Sequence, residues 1–259
     1  MLDCTPAEWG GEREERVTVP LIAANWKMYK TRAEARAFFE TWATLPFPAG
    51  REVLFLPPFP LLDTVRALLP PGQALGAQNL HEEEEGAFTG EVSAAMVKDA
   101  GCAYALVGHS ERRHLFGEGD ARLRSKFRAA LRHGLRPVLC VGELLPEREA
   151  GATLEVVRSQ LAGALGEEPP AEGFDVAYEP VWAIGTGKVA RPEDASEVHL
   201  AVREWLARRG VSPSVRILYG GSVKPQNAAS LLAAPGVEGL LVGGASLDPL
   251  AFHGILTAR

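Results

Sequence analysis

Glu179 stands where a side chain could take a proton from a substrate. It follows the apolar, β-branched and aromatic run Phe174–Tyr178, so it falls at the C-terminal end of a predicted strand, where barrel enzymes keep their reacting groups. Pro180 stiffens the exit from that strand. Gly185 and Gly187 free the far side of the loop and offer backbone N–H groups able to close over an anion. A carboxylate beside a stiff hinge and a loose tip has the makings of a lidded site; the plain alternative is a surface Glu before an ordinary glycine loop. Gly185–Lys188 resembles the end of a nucleotide-binding P-loop only superficially, because Trp182 stands where that motif needs its first glycine and Val189 follows the lysine.

Other polar residues gather at predicted strand ends: Asn25 and Lys27, Gln78 and Asn79, His109 with Ser110 and Glu111, Gly220–Ser222, and Gly243 with Gly244. Lys27 is placed to meet a phosphate or a developing oxyanion, the alternative being a surface lysine. His109 closes a strand and opens a polar helical segment, where backbone N–H groups would bond one ring nitrogen and disfavour the cation. The resulting neutral imidazole would turn its other N–H to substrate and polarise a carbonyl. His81, His114, His133, His199 and His253 read as structural. The two glycine pairs each lie between a strand and a helix, which brings backbone donors onto a phosphate, with two tight turns as the alternative. Arg203, Arg208 and Arg209 read as a solvated helix face and Glu82–Glu85 as a solvated loop.

The elements that must position these residues recur in the chain. Apolar runs at Leu21–Asn25, Val53–Pro57, Ala74–Gln78, Ala103–Val107, Pro137–Val141, Phe174–Tyr178, Arg216–Tyr219 and Gly239–Val242 alternate with amphipathic stretches that include Ala33–Ala43, Asp120–His133, Leu154–Ala164, Pro192–Arg209 and Pro225–Ala233. Strands that are short and nearly all apolar are covered on both faces, as in parallel sheets. Eight such units favour one closed (β/α)₈ barrel of the α/β class over a doubly wound open sheet, and they leave no linker that divides the chain.

Composition narrows the function classes. The chain has 259 residues, is 46% hydrophobic and carries a formal net charge of −6, which argues against general affinity for nucleic acid or an anionic membrane surface. Cys4, Cys102 and Cys140 have neither disulfide nor zinc spacing, which suits a reducing compartment, with cytoplasm the default. Residues 1–16 are rich in Glu and Arg, lack an apolar core and are expected to form a disordered extension before one catalytic domain over residues 17–259.

Seven segments, Ala24–Met28, Gly76–Asn79, Gly86–Glu91, Val107–Arg113, Ala177–Lys188, Tyr219–Val223 and Leu241–Ser246, together resemble the triosephosphate isomerase family, in the same order and from about Pro20 to Ile255. The resemblance implies a single TIM barrel and an isomerase of glycolysis and gluconeogenesis. Its substrates would be dihydroxyacetone phosphate and D-glyceraldehyde 3-phosphate. It assigns Glu179 as base, His109 as neutral electrophile, Lys27 and Asn25 as partners of the developing negative charge, and Glu111 and Ser110 as support, a pairing that belongs to the family's known chemistry. Gly185, Ser222, Gly243 and Gly244 match phosphate-binding donors. Pro180, Val181, Trp182, Ala183, Ile184, Gly185, Thr186, Gly187 and Lys188 match the lid, which Tyr219 and Ser222 latch. Thr89 matches a loop that plugs a second subunit, implying a homodimer. Cys140 matches a family cysteine and reads as packing. No metal or organic cofactor is implied. The segment before Val17 departs from the family by about a dozen residues. A Schiff-base aldolase using Lys27 or Lys188, and a barrel that only binds phosphometabolites, stand as rivals.

Overall fold

The structure, a computed structural model, describes residues 19–183 and 190–259. The N-terminal extension and the lid positions Ile184, Gly185, Thr186, Gly187 and Lys188 lie outside the described residues. Eight parallel strands close a barrel in chain order: β1 (Leu21–Asn25), β2 (Glu52–Leu56), β3 (Ala74–Ala77), β4 (Tyr104–Val107), β5 (Arg136–Val141), β6 (Asp175–Tyr178), β7 (Ile217–Tyr219) and β8 (Gly239–Val242). β8 returns to β1 with Leu241 opposite Ala23, which leaves no edge. Every expected strand is present, with its ends within one residue of expectation.

Among the described residues ten helices wrap the barrel: α1 (Arg32–Trp42), α2 (Leu62–Leu68), α3 (Ala94–Asp99), α4 (Ser110–His114), α5 (Asp120–Arg132), α6 (Leu145–Glu149), α7 (Thr153–Leu165), α8 (Pro192–Ala207), α9 (Pro225–Leu232) and α10 (Pro249–Leu256). Local chemistry sets several starts. Thr31 and Glu34 form a capping box at α1, Asp248 accepts the Ala251 N–H at 2.7 Å to open α10, and proline fills the first turn of α8 and α9. α2, α3, α6 and α10 leave no readable helical period in the sequence, because they span eight residues at most and so hardly two turns. Among the described residues no helix is long and apolar enough to cross a membrane.

Strand alternation divides the core in two. Leu21, Ala23, Leu54, Leu56, Leu106, Val138, Cys140, Ala177, Leu218 and Leu241 fill the barrel interior. Their neighbours, such as Ile22, Ala24, Val53, Phe55, Val107, Val141, Val176 and Tyr178, pack outward against the helices. The outer layer is thickest where Trp26, Phe38, Trp42, Phe55 and Phe252 meet at centroid separations of 5.1–5.9 Å. One surface expectation is corrected: Arg203 is not a solvated residue, because it bonds the Val215 carbonyl at 2.6 Å and pairs with Glu238. Arg208 does remain exposed, and Arg209 lies over the Trp205 ring.

The floor of the barrel is polar. Asp175, fully buried, accepts from Arg136 Nε and Nη2 at 2.7 and 2.8 Å and from the Arg216 backbone, Nε and Nη2 at 3.0–3.2 Å. Arg216 also reaches Glu52 at 2.6 Å and the Tyr104 hydroxyl at 3.0 Å. Burial pushes the Asp175 pKa up, but the Arg136 hydrogen bonds and the Arg216 charge outweigh it and hold the carboxyl below its ordinary range. Its stabilising contribution is therefore fully present above the ordinary aspartate pKa and is lost as pH falls through the lowered native value. Asp175→Asn is expected to cost about 3–5 kcal/mol in denaturant unfolding at neutral pH, a gap that narrows below about pH 4.

Candidate active site

The period of two that fills the interior also builds the upper rim. Asn25 stands two residues beyond Ala23, Glu179 two beyond Ala177, Gly220 two beyond Leu218 and Gly243 two beyond Leu241, so all four follow interior positions on β1, β6, β7 and β8. They line one cavity of about 470 Å³ with Lys27, Tyr29, His109, Ser222 and Gly244. Residues scattered over more than two hundred positions thus meet at one mouth, while Gln78, Asn79 and Glu111 line a neighbouring cavity.

Glu179 is 1% exposed. Its Oε2 accepts the Ser110 backbone N–H at 2.8 Å, and Oε1 lies 3.0 Å from His109 Nε2 without a well-aligned donor. Burial alone would raise the Glu179 pKa; the charge and contact of His109, the Ser110 N–H and Lys27 more than offset it, and the carboxyl is held below its ordinary value. His109 is the N-cap of α4, and its Nδ1 accepts the Glu111 N–H at 3.3 Å. That bond leaves the proton of a neutral ring on Nε2, facing the cavity. Burial likewise favours the neutral ring, whereas the Glu179 carboxylate draws its pKa upward and prevails while that charge is unmet. The Glu111 N–H at Nδ1 opposes that pull, because a ring nitrogen that accepts a hydrogen bond must be unprotonated.

Lys27 reaches the site through unusual backbone. Its φ is +51°, a left-handed conformation that costs a non-glycine residue of order 1 kcal/mol, and its N–H bonds Asn25 Oδ1 at 3.1 Å. Gln78 Nε2 grips the Lys27 carbonyl at 2.9 Å and the Leu56 carbonyl at 2.8 Å, and buried Trp26 donates to the Ser246 carbonyl at 3.1 Å. The ammonium meets Glu111 at 2.6 Å. Beyond this pair a second cavity of about 290 Å³ opens, lined by Lys27, His109 and Glu111 together with Pro58, Phe59 and Phe116. Thr89 sits elsewhere, at the exposed tip of a loop between Gly86 and Gly90, both at positive φ, with Phe88 packed on His81 at 4.2 Å.

Two residues of the site went unnoticed in the sequence. Glu143, buried beyond β5, accepts from Trp182 Nε1 at 2.8 Å and from the Tyr178 hydroxyl at 3.1 Å, and its carbonyl takes the Val181 N–H at 3.1 Å. It anchors the turn Val181–Ala183 that leaves Glu179 and Pro180. Gly142 makes room: a Cβ there would stand 1.7 Å from the Glu179 carbonyl oxygen. Gly220 clears the Glu179 side chain in the same way, and Gly221 leaves room for both the Tyr219 hydroxyl and Pro180. Cys140 is wholly buried beneath, its thiol pushed up by burial and by the charge of Glu179, in keeping with packing. His199, read as structural, is buried with its pKa lowered to about 4 by desolvation. Among the described residues no group of three or more His, Cys, Asp or Glu is arranged to hold a metal ion.

Gly142→Ala is expected to lose about 1–3 kcal/mol or more through overpacking, read as a lower melting temperature. Gly119→Ala, where nothing lies within 4 Å and no overpacking arises, is the control expected to lose at most about 1 kcal/mol, through the poorer N-cap that Ala makes for α5.

Comparison with known proteins agrees with this architecture. The sequence model of the family described as triosephosphate isomerase matches residues 20–259. The chain is 51% identical to the triosephosphate isomerase of Chloroflexus aurantiacus over 92% of this chain and 98% of that one. It is 52% identical to that of Carboxydothermus hydrogenoformans over 92% and 97%, and 50% identical to that of Thermus thermophilus over 91% and 97%. With a closed eightfold barrel, a carboxylate and an imidazole facing one cavity at its rim, and a match across the whole described barrel, this chain belongs to the triosephosphate isomerase family.

Proposed function

We propose that this isomerase interconverts dihydroxyacetone phosphate and D-glyceraldehyde 3-phosphate by proton transfer through Glu179 and His109. Family membership supports the triose phosphate substrate. One observation carries the residue assignment: Glu179 has one oxygen pinned by Ser110, while the other stands 3.0 Å from His109 Nε2 without an aligned donor, at the cavity. A base needs one such oxygen, held in place and unsatisfied until substrate arrives.

Glu179 removes a proton from the carbon beside the carbonyl and becomes a carboxylic acid, while the C–H electron pair moves into an enediolate. His109 gives its Nε2 proton to the carbonyl oxygen and takes one from the neighbouring oxygen, ending as it began. Glu179 returns its proton to the other carbon. Lys27 and Asn25 hold the negative charge that develops on the oxygens, and Glu111 keeps the Lys27 ammonium in place. Ser222, Gly243 and Gly244 would bind the phosphate with Gly185. Pro180–Ala183, anchored on Glu143, would be the stem of a lid formed with Ile184–Lys188, latched by Tyr219 and Ser222, that excludes water from the enediolate. A Schiff-base mechanism on Lys27 is disfavoured because its Nζ is already engaged by Glu111 at 2.6 Å.

The second cavity and the Thr89 loop support a homodimer in which Thr89 of one copy enters the cavity beside Asn25 and His109 of another. Met28, Leu115 and Phe116, 65–93% exposed, lie near that cavity and would be covered. Each site would draw its reacting groups from one chain, the second copy holding them rigid. A cytoplasmic location is part of the same proposal.

Two measurements test these assignments. Glu179→Asp, which withdraws the carboxylate by about a methylene, is expected to lower kcat by about 100-fold or more with KM within a fewfold; equal kcat would refute the base. Sedimentation at low micromolar concentration is expected to show a dimer, and Thr89→Arg to give a monomer of reduced kcat. A fully active, stable monomer of the parent chain would defeat the dimer proposal.

A further inference from the structure

A triose phosphate dianion must approach a chain of formal net charge −6. Among the described residues that line the main cavity the lysines are Lys27 and Lys224. Lys27 is bonded to Glu111 at 2.6 Å, so its ammonium already has a carboxylate partner. Lys224 differs. It is exposed, and among the described residues its ammonium has no hydrogen bond or ion pair.

The backbone beneath it is fixed. Lys224 is the N-cap residue of α9; its N–H donates to Asn227 Oδ1 at 2.8 Å, and Asn227 Nδ2 donates to the Ser222 carbonyl at 3.0 Å. One carboxamide therefore staples Ser222 and Lys224 into a single strip on the cavity wall shared with Gly243 and Gly244. A pinned backbone under an unpaired ammonium suits a charge that acts through the field rather than through one fixed bond. We propose that Lys224 is the cation that draws the substrate phosphate to the lip formed by Ser222, Gly243 and Gly244, setting encounter and affinity without moving a proton. The inference rests on the reading of that lip as the phosphate subsite.

A unit charge about 8 Å from a dianion in water changes capture by about fivefold, and salt near 0.1 M, with a Debye length of about 10 Å, erodes much of it. The test is steady-state kinetics with D-glyceraldehyde 3-phosphate across a range of ionic strength, for the parent chain, Lys224→Gln and Lys224→Arg, with inorganic phosphate as a competing anion. For Lys224→Gln, kcat/KM is expected to fall about fivefold at low salt and to converge on the parent at high salt, with kcat within about twofold. Inhibition by phosphate should weaken in parallel, and Lys224→Arg should restore both. Superimposable salt profiles for parent and Lys224→Gln, or a loss confined to kcat, would overturn the role of Lys224 alone. A parent chain with no isomerase activity would overturn the site assignment beneath it, and this inference with it.

Discussion

A carboxylate removed from water has to keep its charge, and much of the upper barrel is arranged around that requirement at Glu179. Burial works against the anion, so the Ser110 N–H, the imidazole of His109 and the ammonium of Lys27 have to be delivered to it from two other places in the chain. Each delivery has its own structural origin. Ser110 is the first residue of α4, where an N–H with no carbonyl partner inside the helix is given to Glu179; His109 caps the same helix; Lys27 arrives through a left-handed turn gripped by Gln78. The space is cleared as carefully as the charge is met, since Gly142 and Gly220 stand where any side chain would strike Glu179.

How much of this was legible in the sequence depends on whether a residue announces itself locally. Glu179, Asn25 and Lys27 do, because each follows an apolar run and the strand period fixes which way it points. His109 does so through the polar helix start behind it. Asp175 does not: it lies within a run that reads as an apolar strand, and its significance comes from Arg136 and Arg216, which reach it from two other strands. Glu143 was hidden for the same reason, its partners Tyr178 and Trp182 lying 35 and 39 residues away. Gly142 looked like any loop glycine until a neighbouring strand brought the Glu179 carbonyl against it. α10, nearly apolar throughout, offered no polar face from which a helical stripe could be read. Local pattern thus reveals what one element needs, whereas contacts between elements set the remaining requirements.

The two ends of the barrel treat buried charge in opposite ways. At the floor, Asp175 has five protein donors and Arg216 spreads its guanidinium over Asp175, Glu52 and Tyr104, so little valence is left open and the cluster can do nothing but hold strands together. At the rim, Glu179 Oε1 is left without an aligned donor and Lys27 is satisfied by a single carboxylate that is itself two-fifths exposed. An unsatisfied buried oxygen costs stability, and a fully satisfied one cannot react. The chain tolerates the first at one end because it has built the second at the other. The same (β/α)₈ closure that makes the floor rigid is what allows the rim to keep these valences open.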